Sequence, residues 1–116
     1  MLLDDVAQAL EEAGIPCRRT VFLNPPQSGS FAVWGDAVSS GGADLRCTRR
    51  AHTATLSLCE NQGSDADGVA VCDAVLDSLI GAMSDGWRRA ERTWDNENKV
   101  YVTDYTFEFI EKVRIV

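Results

Sequence analysis

The sequence has a single histidine, no C-x-x-C pair among its four cysteines, and no apolar run near the roughly 20 residues needed to cross a bilayer. Each absence removes a class of function. A nucleophilic cysteine needs a base, and the one histidine, His52, stands seven residues before Cys59 and five after Cys47. On a strand those odd separations put it on the opposite face from both. No strained nucleophile turn or oxyanion-hole signature accompanies it. Structural zinc wants paired short spacings, and the closest cysteines are 12 residues apart. The run Asp65-Ala66-Asp67 has half the look of a calcium loop but lacks the ligand spacing and the closing glutamate, so it reads as a helix start. Gly41-Gly42 has neither the lysine nor the glycine spacing of a phosphate loop. Glu108 and Glu111 fall on opposite faces of a strand, which removes a two-carboxylate mechanism. The residues therefore predict no catalytic, metal or cofactor-binding site. The opening Met1-Leu2-Leu3-Asp4-Asp5 has acids where a secretory signal needs bases, so the expected location is the cytoplasm. In that compartment the even set Cys17, Cys47, Cys59 and Cys72 is expected as buried free thiols, although two disulfides could be drawn.

What is present suits one domain spanning 1–116. Apolar residues make up 45% and charged residues 25%, too apolar for a disordered chain. Leu2 or Leu3, Val6, Leu10 and Ala13 recur at helical spacing behind Asp4 and Asp5, and Gly14 and Pro16 stop the helix. Cys17 to Leu23 and the run from Phe31 to Trp34 read as strands joined by the prolyl loop at 24–29, with Ser39-Ser40-Gly41-Gly42 as a flexible connection. Leu45 to Cys59 alternates, with Ala54, Leu56 and Leu58 on one side and Thr53, Thr55 and Ser57 on the other. Ser64 and Asp67 are spaced as a capping box for a second helix carrying Val69, Cys72, Leu76, Leu79 or Ile80, and Met83, ended by Asp85-Gly86. Trp87 to Trp94 and Lys99 to Val116 read as a hairpin of unequal strands, whose tail through Val113, Ile115 and Val116 outruns its partner. The expected fold is α+β, an antiparallel sheet of about five strands with two helices on one face, in the order α-β-β-β-α-β-β.

Eighteen acids against 11 bases give a net charge of −7, which repels nucleic acid and anionic membranes and disfavours non-specific DNA binding, and no specific nucleic-acid binding is expected. The bases nonetheless cluster, as Arg18-Arg19, Arg46 with Arg49-Arg50, and Arg88-Arg89 with Arg92. Trp87 and Trp94 flank the last cluster, and aromatics beside arginine anchor many protein interfaces. The candidate assembly surface is thus Arg49, Arg50, Trp87, Arg88, Arg89, Trp94, Val113 and Ile115.

The N-terminal helix ending in Gly14-Ile15-Pro16, the strand Phe31-Ala32-Val33-Trp34 followed by Asp36, and Gly42-Ala43-Asp44 form one half of a wider pattern. His52 with the strand Thr53 to Leu58, Trp94, Tyr101, Tyr105-Thr106-Phe107-Glu108-Phe109 and Lys112 form the other. In this order, over nearly the whole chain, they resemble the tail completion or tail terminator proteins of long-tailed phages and prophages. Cys59 stands where that family's strand usually ends in an aromatic. The resemblance implies a structural protein, not an enzyme, that self-assembles as a ring, often a hexamer, at the head-proximal end of the tail tube. It implies tail-tube and head-connector proteins as partners, no cofactor, DNA passing through the ring, and a place first in the bacterial cytoplasm and then in the virion neck. Two other readings stay open: a small enzyme or ligand-binding domain using Cys17 or Cys72 with His52, and a monomeric protein-binding adaptor.

Overall fold

The computed structural model describes residues 2–21, 24–26, 29–41, 47–62, 67–81 and 86–114. Helix α1 spans Leu2–Glu12 and buries Leu3, Val6 and Leu10, the residues its periodicity selects. It ends where glycine is needed: Gly14 sits at φ 92°, Ile15 N–H reaches Leu10 C=O at 2.8 Å, and Gly14 N–H reaches Glu11 C=O at 3.1 Å. Ile15 is buried in the same cluster as Leu10, the apolar contact that accompanies this type of helix end.

Strand β1, Cys17–Arg19, follows at once and is tied to the helix. The Glu11 carboxylate accepts from Cys17 N–H at 2.9 Å and from the Arg18 guanidinium. The Cys17 amide first, and Arg18 second, hold the Glu11 carboxyl below the usual carboxylate range. A depressed acid contributes stability above its unfolded value near 4.3 and loses it as pH falls through the lower folded value. Glu11→Ala is accordingly expected to cost less than about 1 kcal/mol at pH 7, the pair being exposed. The gap between the urea midpoints of variant and wild type should narrow as pH falls below the unfolded value; a gap that does not shrink would assign the loss to packing instead.

Strand β2, Ser30–Gly41, runs parallel to β1, with Cys17 opposite Ala32 and Arg19 opposite Trp34. This departs from the antiparallel expectation. The chain leaves β1 through Thr20 at φ 66° and then passes Pro25 and Pro26, which fix φ and carry no donor, so no tight hairpin forms. The segment re-enters at the far end, where Asn61 Nδ2 holds Pro26 C=O at 2.9 Å and Gly29 C=O at 3.2 Å. Residues 39–41, expected as a loose connection, stay in β2, paired in register with 49–51 of β3. The ladder overrides the local preference of serine and glycine.

Strand β3, Cys47–Asn61, lies at the centre between β2 and the final strand β6, Val100–Arg114. Helix α2, Gly68–Leu79, starts at Asp67, whose side chain accepts from Ala70 N–H at 3.1 Å; Ser64, its expected capping partner, lies outside the described residues. It stops earlier than Asp85-Gly86. Gly81 N–H turns back to Leu76 C=O at 3.2 Å, and a Cβ there would stand 2.6 Å from Asp77 O, so the glycine permits the termination. Ile80 is buried and Leu79 exposed, while Met83 and Asp85 lie outside the described residues.

The segment from Trp87 to Trp94 is two strands, β4 (Trp87–Arg89) and β5 (Thr93–Asp95), both antiparallel to β6. Arg89 pairs with Tyr105 and Thr93 with Val102, so three residues, 90–92, oppose two, 103 and 104. That extra residue is a bulge, and it splits one expected strand into two. The result is a six-stranded sheet in the order β1-β2-β3-β6-β4, with β5 beside β6 and every pairing antiparallel except β1 with β2.

Both helices pack on one face. Ala32, Trp34, Ala54, Leu56, Leu58, Tyr105, Phe107 and Phe109 meet Leu3, Val6 and Leu10 of α1 and Cys72 and Leu76 of α2 in one buried cluster. The helices, 11 and 12 residues, reach about 17–18 Å at 1.5 Å per residue. Strands β3 and β6, 15 residues each, run about 50 Å. Part of the sheet must therefore extend beyond the helices, in keeping with the 54 × 28 × 25 Å dimensions of the molecule.

Candidate functional site

The overhang is a three-stranded ribbon built from the distal ends of β2, β3 and β6, and its backbone carries unmet capacity. β1 pairs β2 only at residues 32–34, while β5 and β4 pair β6 only up to Phe107. Among the described residues, nothing pairs the outer edge of Gly35–Gly41 or that of Glu108–Arg114, apart from their inner partner β3. The direction of those free groups follows from the bonds nearby. Ala32 N–H bonds Pro16 C=O at 2.8 Å and Trp34 C=O accepts from Thr20 at 2.7 Å, so even-numbered residues of β2 face outward. Ala90 N–H bonds Asp104 C=O at 2.9 Å, so even-numbered residues of β6 also face outward. With a period of two, Asp36, Val38 and Ser40 on one edge, and Glu108, Ile110, Lys112 and Arg114 on the other, present N–H and C=O to the outside.

At the root of the ribbon sits a buried histidine–aspartate pair. His52 Nδ1 lies 2.7 Å from Asp36 Oδ2, with side-chain exposures of 4% and 2%. The imidazole stacks on Phe109 at 4.4 Å with an interplanar angle of 1°. Asp36 Oδ1 has no hydrogen-bond partner among the described residues. His52 is thus occupied by Asp36 and Phe109 as part of the helix-side core, whereas Cys59 is on the other sheet face, as the alternation predicts. The thiols themselves are poor nucleophiles. Burial pushes Cys17 and Cys59 up to about 11 and Cys72 up to about 12. Cys17, Cys59 and Cys72 are free; the first and last are buried, and Cys59 is half-buried. Among the described residues no group of three or more His, Cys, Asp or Glu side chains is placed to hold a metal ion. Nor is any described helix long and apolar enough to cross a membrane.

Among the described residues, no helix covers the second sheet face. Ala37, Ala51, Thr53, Thr55, Asp104, Thr106 and Glu108 are exposed there, and Ser57 Oγ donates to Asp104 at 2.7 Å. Among the described residues, cover is found at its proximal end. There Phe31 and Val100 are buried, and Pro25, Pro26, Val33, Cys59 and Val102 line a cavity of about 310 Å³.

The residues expected at an assembly surface divide into groups. Arg49 and Arg50 stand on β3 in the ribbon, opposite Lys112 and Glu111. Val113 does outrun its hairpin partner, since β4 and β5 pair β6 only up to Phe107, but on the other side it is met by Thr48, because β3 is as long as β6. The free feature of this tail is its lateral edge, not its end. Ile115 lies outside the described residues. Trp87 is half-buried, packs against Tyr105 at 5.7 Å, and donates Nε1–H to Asp77 at 3.0 Å. Arg89 pairs with Asp73 on α2, while Arg88 is exposed beside Thr53, Thr106 and Glu108. Trp94 is exposed and meets Tyr101 edge-on at 4.8 Å. The bulge aims Arg92 across the same ring at 4.0 Å, with Nε 3.3 Å from the buried Glu60 carboxylate. The fold thus gathers β4 and β5 at the proximal end and Arg49, Arg50 and Val113 at the distal end, so these are two surfaces. Sequence reasoning missed the β2 edge, since Ser39 to Gly41 carry turn-like side chains and the relevant groups are backbone.

No family model matches the chain, and no curated protein does. Among solved structures, a chain from the virion of a native gene transfer agent particle shares the fold with a TM-score of 0.59, at 18% identity, over 97% of this chain and 89% of that one.

Proposed function

We propose that this chain is a structural subunit of a phage or prophage neck and tail, completing the tail tube and joining it to the head connector through ring-like self-assembly. The observation that carries this reading is the ribbon with two open edges, on a fold shared nearly end to end with a chain of a virion particle. A sheet of this length with unmet backbone on both sides is a template for other chains. The chemistry points the same way: raised thiols and a histidine held by an aspartate favour a non-catalytic role. A net charge of −7 suits a ring through which DNA passes without being gripped. The partners in this reading are further copies of the chain, the tail tube and the head connector. Its setting is the bacterial cytoplasm during assembly, then the virion neck.

Electron microscopy of the purified protein mixed with tail tubes tests the reading. Rings at one end of the tubes are the expected result, and tubes with bare ends at saturating protein would overturn it. Charge reversal of the ribbon arginines, Arg49→Glu with Arg50→Glu, should reduce ring occupancy.

A further inference from the structure

We infer that the open edge of β6 in one copy pairs with the open edge of β2 in the next, in parallel, so that the sheet continues from subunit to subunit. The inference rests on the ring reading and specifies the joint. β2 and β6 are each antiparallel to β3, so they point the same way within one copy. Copies related by a rotation about an axis along the ribbon keep that direction, and β6 then meets its neighbour's β2 in parallel. The edge of β2 already accepts a parallel strand: β1 occupies 32–34, and an incoming β6 would continue along its line over 35–41.

The two open runs, Gly35–Gly41 and Glu108–Arg114, are equal in length. Laid side by side in full overlap, they place Phe109 beside Asp36, two residues that face the helix side in their own copies. Sheet faces therefore stay continuous across the joint, whereas a slip of one residue would reverse them. Charge separates this joint from its competitor. A two-fold pairing of β6 with β6 in full overlap sets Glu111 directly against Glu111, and like charges opposite each other destabilise a pair. Pairing β6 with β2 sets Glu108, Glu111, Lys112 and Arg114 against Gly35, Val38, Ser39 and Gly41, with no like charges in contact. The β2 run also lacks the lysine or proline that usually guards an exposed edge. Because the two surfaces differ, the contact is head-to-tail and propagates until it closes into a ring.

Proline at an outward-facing position removes an edge donor while sparing the ladder to β3. Ser40→Pro blocks the β2 edge and Lys112→Pro blocks the β6 edge. Light scattering should show each variant alone as a 12.7 kDa monomer, with at least a tenfold loss of self-association where wild type forms rings. A mixture of the two should yield a species of twice that mass, since one intact edge of each kind remains. Either variant still forming the wild-type ring, or forming a dimer by itself, would overturn the joint while leaving the ring reading intact. Wild type that remains monomeric both alone and with tail tubes would overturn both. Should the prolines unfold the chain, Ser40→Cys and Val113→Cys chains provide the same test. Mixed and oxidised, they should give a 40–113 disulfide by peptide mapping, and its absence from wild-type-like rings would equally reject the joint.

Discussion

Tyr105→Ala should lower the unfolding free energy by about 3–5 kcal/mol, read as a fall in urea midpoint with an unchanged slope. The ring is fully buried, tilts against Trp87 at 5.7 Å, and stands on β6 opposite Leu56 of β3 and Arg89 of β4. Its hydroxyl donates to Asp73 Oδ1 on α2 at 2.9 Å, and the same carboxylate pairs with Arg89. One side chain thus joins three elements. Burial first, and the Asp73 bond second, raise the phenol well above its ordinary range, so it stays a donor at neutral pH. Tyr105→Phe separates the two contributions. It should cost only about 1 kcal/mol, because Asp73 keeps Arg89 and is not left alone. Equal losses in the two variants would mean that the hydrogen bond, not the packed ring, dominates. Against a typical total of about 5–15 kcal/mol, the alanine variant removes a large share.

Asp36→Ala is expected to cost about 1–3 kcal/mol, since it leaves the buried His52 Nδ1 without its hydrogen-bond partner. Both side chains are almost wholly withdrawn from water, and the imidazole is clamped on Phe109. The double variant Asp36→Val with His52→Phe should recover most of that loss, because an apolar pair of similar volume leaves no buried polar group unsatisfied. Urea unfolding of the three proteins measures the coupling. A double variant as unstable as Asp36→Ala itself would show that the pair is a net stabiliser. The same variant bears on function: in the assembly reading it still forms rings, and a loss of every activity with fold and rings intact would revive histidine chemistry.

Much of the local structure was legible in advance. Alternation at Ala54, Leu56 and Leu58 identified the buried side of β3, and helical spacing at Leu3, Val6 and Leu10 identified that of α1. Gly14 and Asp67 marked helix ends because their roles are local: one supplies a positive φ, and the other caps an amide three residues along the chain. The opposite-face placement of His52 and Cys59 followed from the same period of two. What escaped were features that depend on which strand lies beside which. Asp36 figured only as the residue that follows the strand Phe31 to Trp34 until β2 and β3 paired and brought it to a histidine 16 positions away. The tail at Val113 did outrun its hairpin partner, but that β3 would run beside it on the other edge was not foreseen.

The sequence by itself determined the elements, their inward faces and the scarcity of reactive groups, since periodicity, caps and residue inventory act within a few residues of chain. Tertiary structure alone decided the parallel docking of β1, the bulge between β4 and β5, the buried His52–Asp36 pair and the two open edges. Those are pairings between backbones or side chains far apart in sequence, as with Ser57 and Asp104, 47 positions apart. Any strand can offer the same N–H and C=O groups, so only the arrangement of all the strands settles which are met within the chain and which remain outside it.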